Sequence, residues 1–163
     1  MLLVLALILL SAVPARAAHR THSLRIGILE DLNQIRRSHG LAPLELSPGL
    51  SAAARAHSDE MLVWGYFGHR SADGAAYWRR IESYYRPLMR GETWSVGENL
   101  FWAPGALDAR EAVRAWMRSP KHRHNILTAS WRQIGIGIRH ESDAPGVYGD
   151  VQVTVLTTDF GVR

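Results

Sequence analysis

One carboxylate constrains this chain more than any other residue. Glu98, in Gly97-Glu98-Asn99-Leu100, stands among Trp94, Val96, Leu100, Phe101 and Trp102. In an extended segment, alternation puts Val96, Glu98, Leu100 and Trp102 on one face. An unpartnered carboxylate is costly to bury among apolar groups, so an internal Glu98 needs a proton, a cation or hydrogen-bond donors. Two partners are on offer: His69 in Phe67-Gly68-His69 and His122 in Ser119-Pro120-Lys121-His122. A fold that gathers His69, Glu98 and His122 satisfies the carboxylate. The alternative is a strand that stops at Gly97 and leaves Glu98 in water.

The chain has 163 residues, 47% of them hydrophobic, which fits one domain. A domain of that size buries roughly two thirds of its unfolded surface and folds without staples. It contains no cysteine, which excludes disulfides, thiolate metal sites and a Cys nucleophile. The formal charge of +4 is mild and its basic residues are scattered. No dense basic run interleaved with aromatics is present, so no nucleic-acid partner is expected. The positive balance suits anionic cell-wall polymers or lipid head groups.

Residues 1–17 read as a signal peptide. Leu2 to Leu10 is an unbroken apolar run, extended by Ala12 and Val13, and too short to span a bilayer as a helix. Ala15-Arg16-Ala17 supplies small residues where a signal peptidase reads, which places cleavage after Ala17. No Lys or Arg precedes the apolar run, and retention as an anchor is the alternative. Cleavage removes Arg16 alone among charged residues, taking the formal charge from +4 to +3. The expectation is a secreted protein, extracellular or periplasmic, with no transmembrane segment after cleavage. A short segment, 18–23, then precedes a domain over 24–163.

Ser23 is a predicted cap for a helix with an apolar stripe of Leu24, Ile28, Leu32 and Ile35, ended by Gly40. Ser47-Pro48 opens a second helix with Leu50, Ala53, Ala54, His57, Met61 and Trp64 inward and Gly65 as its stop. Asp73 is the predicted cap of a third, with Tyr77, Ile81 and Tyr84 on one side. Residues 85–93 read as a surface loop, followed by a strand over Trp94–Trp102. Asp108 with Glu111 makes a capping box for a fourth helix that buries Ala112, Val113, Trp116 and Met117. Ser119-Pro120 starts a short turn anchored by Ile126 and Leu127. Ile134, Ile136 and Ile138 alternate with Gly135 and Gly137, a strand with one bare face that backbone or ligand can approach. Val147, Val151, Val153 and Val155 form the returning strand. Helices first and strands later indicate an α+β fold, an antiparallel sheet covered by helices.

Two imidazoles and one carboxylate can hold a divalent ion such as Zn²⁺ with a position left for water. The same trio without metal can do general acid–base work. The spacing decides neither, because no His-Glu-x-x-His helix fixes two ligands on one turn. His124, two residues from His122, is expected to be exposed. His57 is read as a satisfied core histidine, Asp73 as structural and Ser119 as a cap. No nucleophile elbow or phosphate loop is present.

Four stretches, in order over roughly residues 24–161, resemble the bacterial CAP superfamily, which groups cysteine-rich secretory proteins, antigen 5 and plant pathogenesis-related proteins. Phe67-Gly68-His69-Arg70-Ser71-Ala72-Asp73-Gly74 is similar to that family's Phe-Ser-His-x-Ser-Pro-Asp-Gly. Gly97-Glu98-Asn99-Leu100 matches Gly-Glu-Asn-aliphatic. Trp116 to Leu127 matches Trp-Met-x-Ser-Pro-x-His-Arg-x-Asn-Ile-Leu, and Ile134-Gly135-Ile136-Gly137 matches the strand that follows. The resemblance implies a three-layer α-β-α sandwich with a central antiparallel sheet. It also implies a cleft built on His69, Glu98 and His122. The second Glu of the eukaryotic tetrad is Ser119 here, which points to a three-residue site open to water.

Family members have been linked to lipid binding, divalent metal and proteolysis, and no one reaction unites them. The expected function is a secreted binding module whose cleft holds a divalent ion and a small, lipid or cell-wall ligand. The alternatives are a metal-assisted hydrolase with Glu98 as its base, and a purely structural His/Glu cluster.

Overall fold

The computed structural model describes residues 12–87 and 94–163. The apolar run read as a signal peptide, and most of the predicted 85–93 loop, lie outside the described residues. Helix α1 (Ala12–Ser38) runs unbroken through Ser23, so Ser23 is not the cap expected. No proline falls between Pro14 and Pro43, and nothing stops the helix before Gly40, whose φ is 70°. Strand β1 (Glu45–Leu46) then leads into helix α2 (Pro48–Trp64). Ser47 caps α2 by accepting from the Leu50 N–H, and Gly65 closes it in the left-handed conformation.

Helix α3 (Tyr77–Tyr84) starts at Ala76, without the Asp73 cap that the sequence suggested. Asp73 instead turns the loop, accepting from the Ala75 N–H at 2.8 Å. Strand β2 (Ser95–Pro104) follows, then α4 (Ala109–Arg118), α5 (Pro120–Ile126), β3 (Gln133–Ala144), a 3-10 turn (Gly146–Tyr148) and β4 (Val151–Val162). Asp108 caps α4 as expected, accepting from the Glu111 N–H. Ser119 stands at the cap position of α5 but makes no side-chain capping bond. Val147 falls in the 3-10 turn and is exposed, as is Val151, so the returning strand buries only its later valines.

The sheet order is β1-β3-β4-β2. β3, β4 and β2 are antiparallel, and the two-residue β1 adds a parallel edge to β3. Period-two alternation splits the sheet's side chains between two helical layers. Ile134, Ile136, Ile138, Leu156 and Phe160 meet α1 and α4 through Ile28, Leu32, Val113 and Trp116. Leu100, Val153 and Val155 meet Met61 and Leu62 of α2, and Val96 packs near Ile81 of α3. The molecule is thus a three-layer α-β-α sandwich.

The bare face of β3 is filled by backbone. A Cβ at Gly135 would collide with the Leu50 carbonyl carbon and one at Gly137 with that of Ala54, one helical turn further along α2. The paired glycines let α2 lie directly on the sheet. Two expected core residues are outside instead: Trp64 is 69% exposed and Tyr84 48%, while Tyr85, assigned to the loop, is fully buried. Trp64 sits on the last turn of α2, beyond the reach of the sheet.

Candidate functional site

Strand β2 is an edge of the sheet and carries Glu98 inward, on the face shared with Val96 and Leu100. The Glu98 side chain is 1% exposed, so the solvated alternative does not hold. Its Oε1 accepts from His69 Nδ1 at 2.8 Å. Its Oε2 pairs with Nη2 of Arg80, from α3. His57 Nε2 of α2 lies 4.0 Å from the same oxygen. The carboxylate therefore has a cation and a donor, and the cation is an arginine that the sequence reading did not name.

His69 sits on the loop between α2 and α3, its side chain 52% exposed. Donating Nδ1–H to Glu98 leaves Nε2 as the ring's remaining nitrogen. The loop is braced from below. His57 Nε2–H donates to the Gly68 carbonyl at 2.8 Å, and Glu60 accepts from the Tyr66 hydroxyl at 2.7 Å and the Ala72 N–H at 3.0 Å. Arg80 Nη1 donates to Ser71 Oγ at 3.1 Å, tying the loop to α3. Burial holds the His57 pKa below its ordinary value, against the pull of Glu98. His57 is thus the satisfied core histidine expected, and it also supports the site.

His122 arrives from the other layer. It belongs to α5, whose Ile126 packs with α1 and α4. The other face of β2 holds it: Asn99 Nδ2 donates to the His122 carbonyl at 3.2 Å, and Asn125 Nδ2 donates to Asn99 Oδ1 at 3.1 Å. Gly97 makes room, since a Cβ there would strike the Asn125 side chain and the Trp131 ring. Burial lowers the His122 pKa, and the neighbouring His69 lowers it further. Among the described residues the His122 ring makes no hydrogen bond to Glu98 or His69. His124 is exposed, as expected.

Asp159 is the second residue missed. It stands opposite Glu98 in the β2–β4 register and is fully buried. Neither of its oxygens has a hydrogen-bond partner among the described residues. Burial pushes its pKa well up and the Glu98 carboxylate adds to that, while Arg80 offsets part. Its signal was present: a lone carboxylate among Val, Leu, Thr and Phe, the same pattern that drew attention to Glu98.

The residues present do not fit a resident divalent ion. Among the described residues no three His, Asp or Glu side chains gather as a cage, and both Glu98 oxygens are engaged. Beside the site a cavity of about 650 Å³ is lined by Trp64, Tyr66, Gly68, His69, Ser71 and Ala72, among others.

Comparisons agree with this architecture. The model of the cysteine-rich secretory protein (CAP) family matches residues 29–156, and the chain belongs to that family, although it has no cysteine. It is 35% identical over 110 residues to the uncharacterized protein YkwD of Bacillus subtilis, covering 68% of this chain and 40% of YkwD. An extracellular protein containing a SCP domain from Bacillus anthracis superposes with a TM-score of 0.63 at 25% identity, covering 83% of this chain and 39% of that one. An outer surface protein from Borrelia burgdorferi shares the fold, with a TM-score of 0.66 at 17% identity over 88% of this chain and 95% of that one. The chain spans about two fifths of the length of YkwD and of the Bacillus anthracis protein. Among the described residues no helix is long and apolar enough to cross a membrane.

Proposed function

We propose that this CAP domain is an exported binding module whose cleft beside His69 takes an amphipathic ligand, a lipid or lipid-linked cell-wall material. The observation that carries the reading is Trp64, 69% exposed at the cleft rim. Tyr66 and Ala72 continue the lining, with His69, Arg70 and Ser71 as polar groups beside them. A largely apolar hollow with a few polar groups is the usual make-up of a small-ligand site. Covering an exposed indole is favourable, and its N–H can still bond a head group. Export is supported by the apolar N-terminal run and by the extracellular relative.

In this reading Glu98 anchors the cleft rather than meeting the ligand. Through His69 and Arg80 it ties the middle of the loop that forms the wall to β2 and α3. The hydrolase reading has less support, since a carboxylate with both oxygens engaged and 1% exposed is poorly placed to activate water. Titration of the full chain with anionic phospholipid vesicles, followed by tryptophan fluorescence, tests the proposal, with insoluble cell wall as a second arm. Saturable binding weakened roughly tenfold by Trp64→Ala, a loss of about 1.4 kcal/mol, is expected. Binding to neither material, or binding indifferent to Trp64→Ala, contradicts it.

A further inference from the structure

The helical layer away from His69 carries a second hollow, at the corner where α4 turns into α5. Its volume is about 450 Å³, and Met117, Arg118, Pro120, Arg123, His124 and Leu127 line it. We infer that this corner binds the phosphodiester groups of a polyanionic cell-wall polymer, with Arg118 and Arg123 as the residues that hold the anion. The inference does not rest on the cleft beside His69, which belongs to the other layer.

Charge gathers here although it is scattered along the chain. From Ala112 to His140 the sequence holds six Lys or Arg and no Asp or Glu. Arg118 ends α4, Lys121 and Arg123 lie on α5, and all three are exposed, as is His124. Among the described residues none of these three cations pairs with a carboxylate, whereas Arg80 and Arg139 do. Helix α1 ends at the same corner. Its buried Arg36 donates to the Ile126 and Thr128 carbonyls at 2.7 and 3.0 Å, which joins the end of α1 to the end of α5 and sets exposed Arg37 at the junction. The acids of these helices, Glu30 and Asp31 on α1 and Glu111 on α4, stand roughly two turns back. Unopposed cations on one surface raise its potential and draw in a polyanion.

The lining selects among polyanions. A guanidinium is a planar fork that takes two phosphate oxygens at once, and the hollow has two such forks, one from each side of the Ser119-Pro120 corner. Met117, Pro120 and Leu127 add apolar surface for the carbon linkers between phosphates. No aromatic ring lines the hollow for a nucleic-acid base to stack on, and the neighbouring Trp116 and Trp131 are buried. A bilayer is not the match either. Among the described residues the exposed large apolar side chains include Val63 and Trp64 of α2 and Val147 of the 3-10 turn, and none belongs to α4 or α5.

Calorimetric titration of the full chain with poly(glycerol phosphate) tests this, with circular dichroism to check folding. Wild type binds saturably, and more weakly as salt is raised. Arg118→Gln with Arg123→Gln lowers the affinity roughly tenfold, the scale of two exposed ion pairs lost together. Arg79→Gln with Arg86→Gln removes as much charge from beside α3 and changes the affinity less than about twofold, since the field there is screened from the corner. Trp64→Ala, which reports on the cleft, leaves it unchanged. Absence of binding overturns the inference, as does an equal loss in the two Gln pairs, which would make net charge alone the cause. Binding of single-stranded DNA, polyglutamate or anionic vesicles that the Arg118 and Arg123 pair weakens by the same factor overturns it too. If that pair does not fold, Arg118→Lys with Arg123→Lys decides: it keeps the charge and loses the forks, so binding weakens measurably, and an unchanged affinity overturns the inference.

Discussion

Glu98 and Asp159 face each other across the β2–β4 ladder, both buried, and Arg80 pairs with only one of them. Asp159 is the one left without a cation of its own. Burial and the Glu98 charge raise the Asp159 pKa well above its ordinary 3.8. A pKa raised on folding contributes stability that is full below the unfolded value and lost as pH rises through the folded one. Asp159→Asn keeps the shape and removes the ionisation. Its denaturant midpoint should match wild type in acid and exceed it in alkali, giving a flatter profile. A variant less stable than wild type by the same amount at every pH would show that the ionisation does not matter.

His57 titrates with the opposite sign. Burial, the largest cause, lowers its pKa from 6.5, and Glu98 opposes this. Stability is then full above the unfolded value and lost as pH falls toward the folded one. Wild type should begin to lose stability below about pH 6.5. His57→Gln should flatten that part of the profile, at a cost near neutrality of about 1 kcal/mol for the bond to the Gly68 carbonyl. Chemical denaturation from pH 4 to pH 8 reads both effects. An acid limb unaltered by the substitution would assign it to other groups.

The helix-on-sheet contact makes a steric prediction. The Gly137 Cα faces the backbone of α2, and a Cβ there would overlap the Ala54 carbonyl. Neither partner is a side chain that can swing away, so Gly137→Ala should cost about 3 kcal/mol or more, the upper range for overpacking. Thermal melts of this variant beside Gly74→Ala separate packing from strain. Gly74 has a φ of 84° and nothing within reach of a Cβ, so its substitution carries backbone strain alone. Equal losses at the two positions would refute the close approach of α2.

Much of this was legible in the chain because the signals were local. Ser47-Pro48, Asp108 with Glu111, and the alternation of Ile134, Ile136 and Ile138 each act within a few residues, and each element formed where it was expected. His69 beside Glu98 was legible from the cost of burying a carboxylate, helped by the family motif. Arg80 was not. It lies next to Arg79 on a short helix, and nothing in sequence separates an arginine that turns inward from one that stays in water. Asp159 carries the same local signal as Glu98, but only the β2–β4 register sets the two opposite each other. Trp64 fitted the apolar stripe of α2, yet the helix outruns the sheet that would have covered it.

The central claim is that Arg80 and Glu98 form one charge pair on which the cleft wall depends. A double-mutant cycle in denaturant, using Glu98→Gln, Arg80→Gln and both together, measures it most directly. Each single change strands a buried charge and should cost about 3 to 5 kcal/mol. The double variant strands neither, so it should be more stable than the two losses summed, with a coupling of about 2 to 3 kcal/mol. Losses that add to within about 0.5 kcal/mol would contradict the account, since independent residues behave that way.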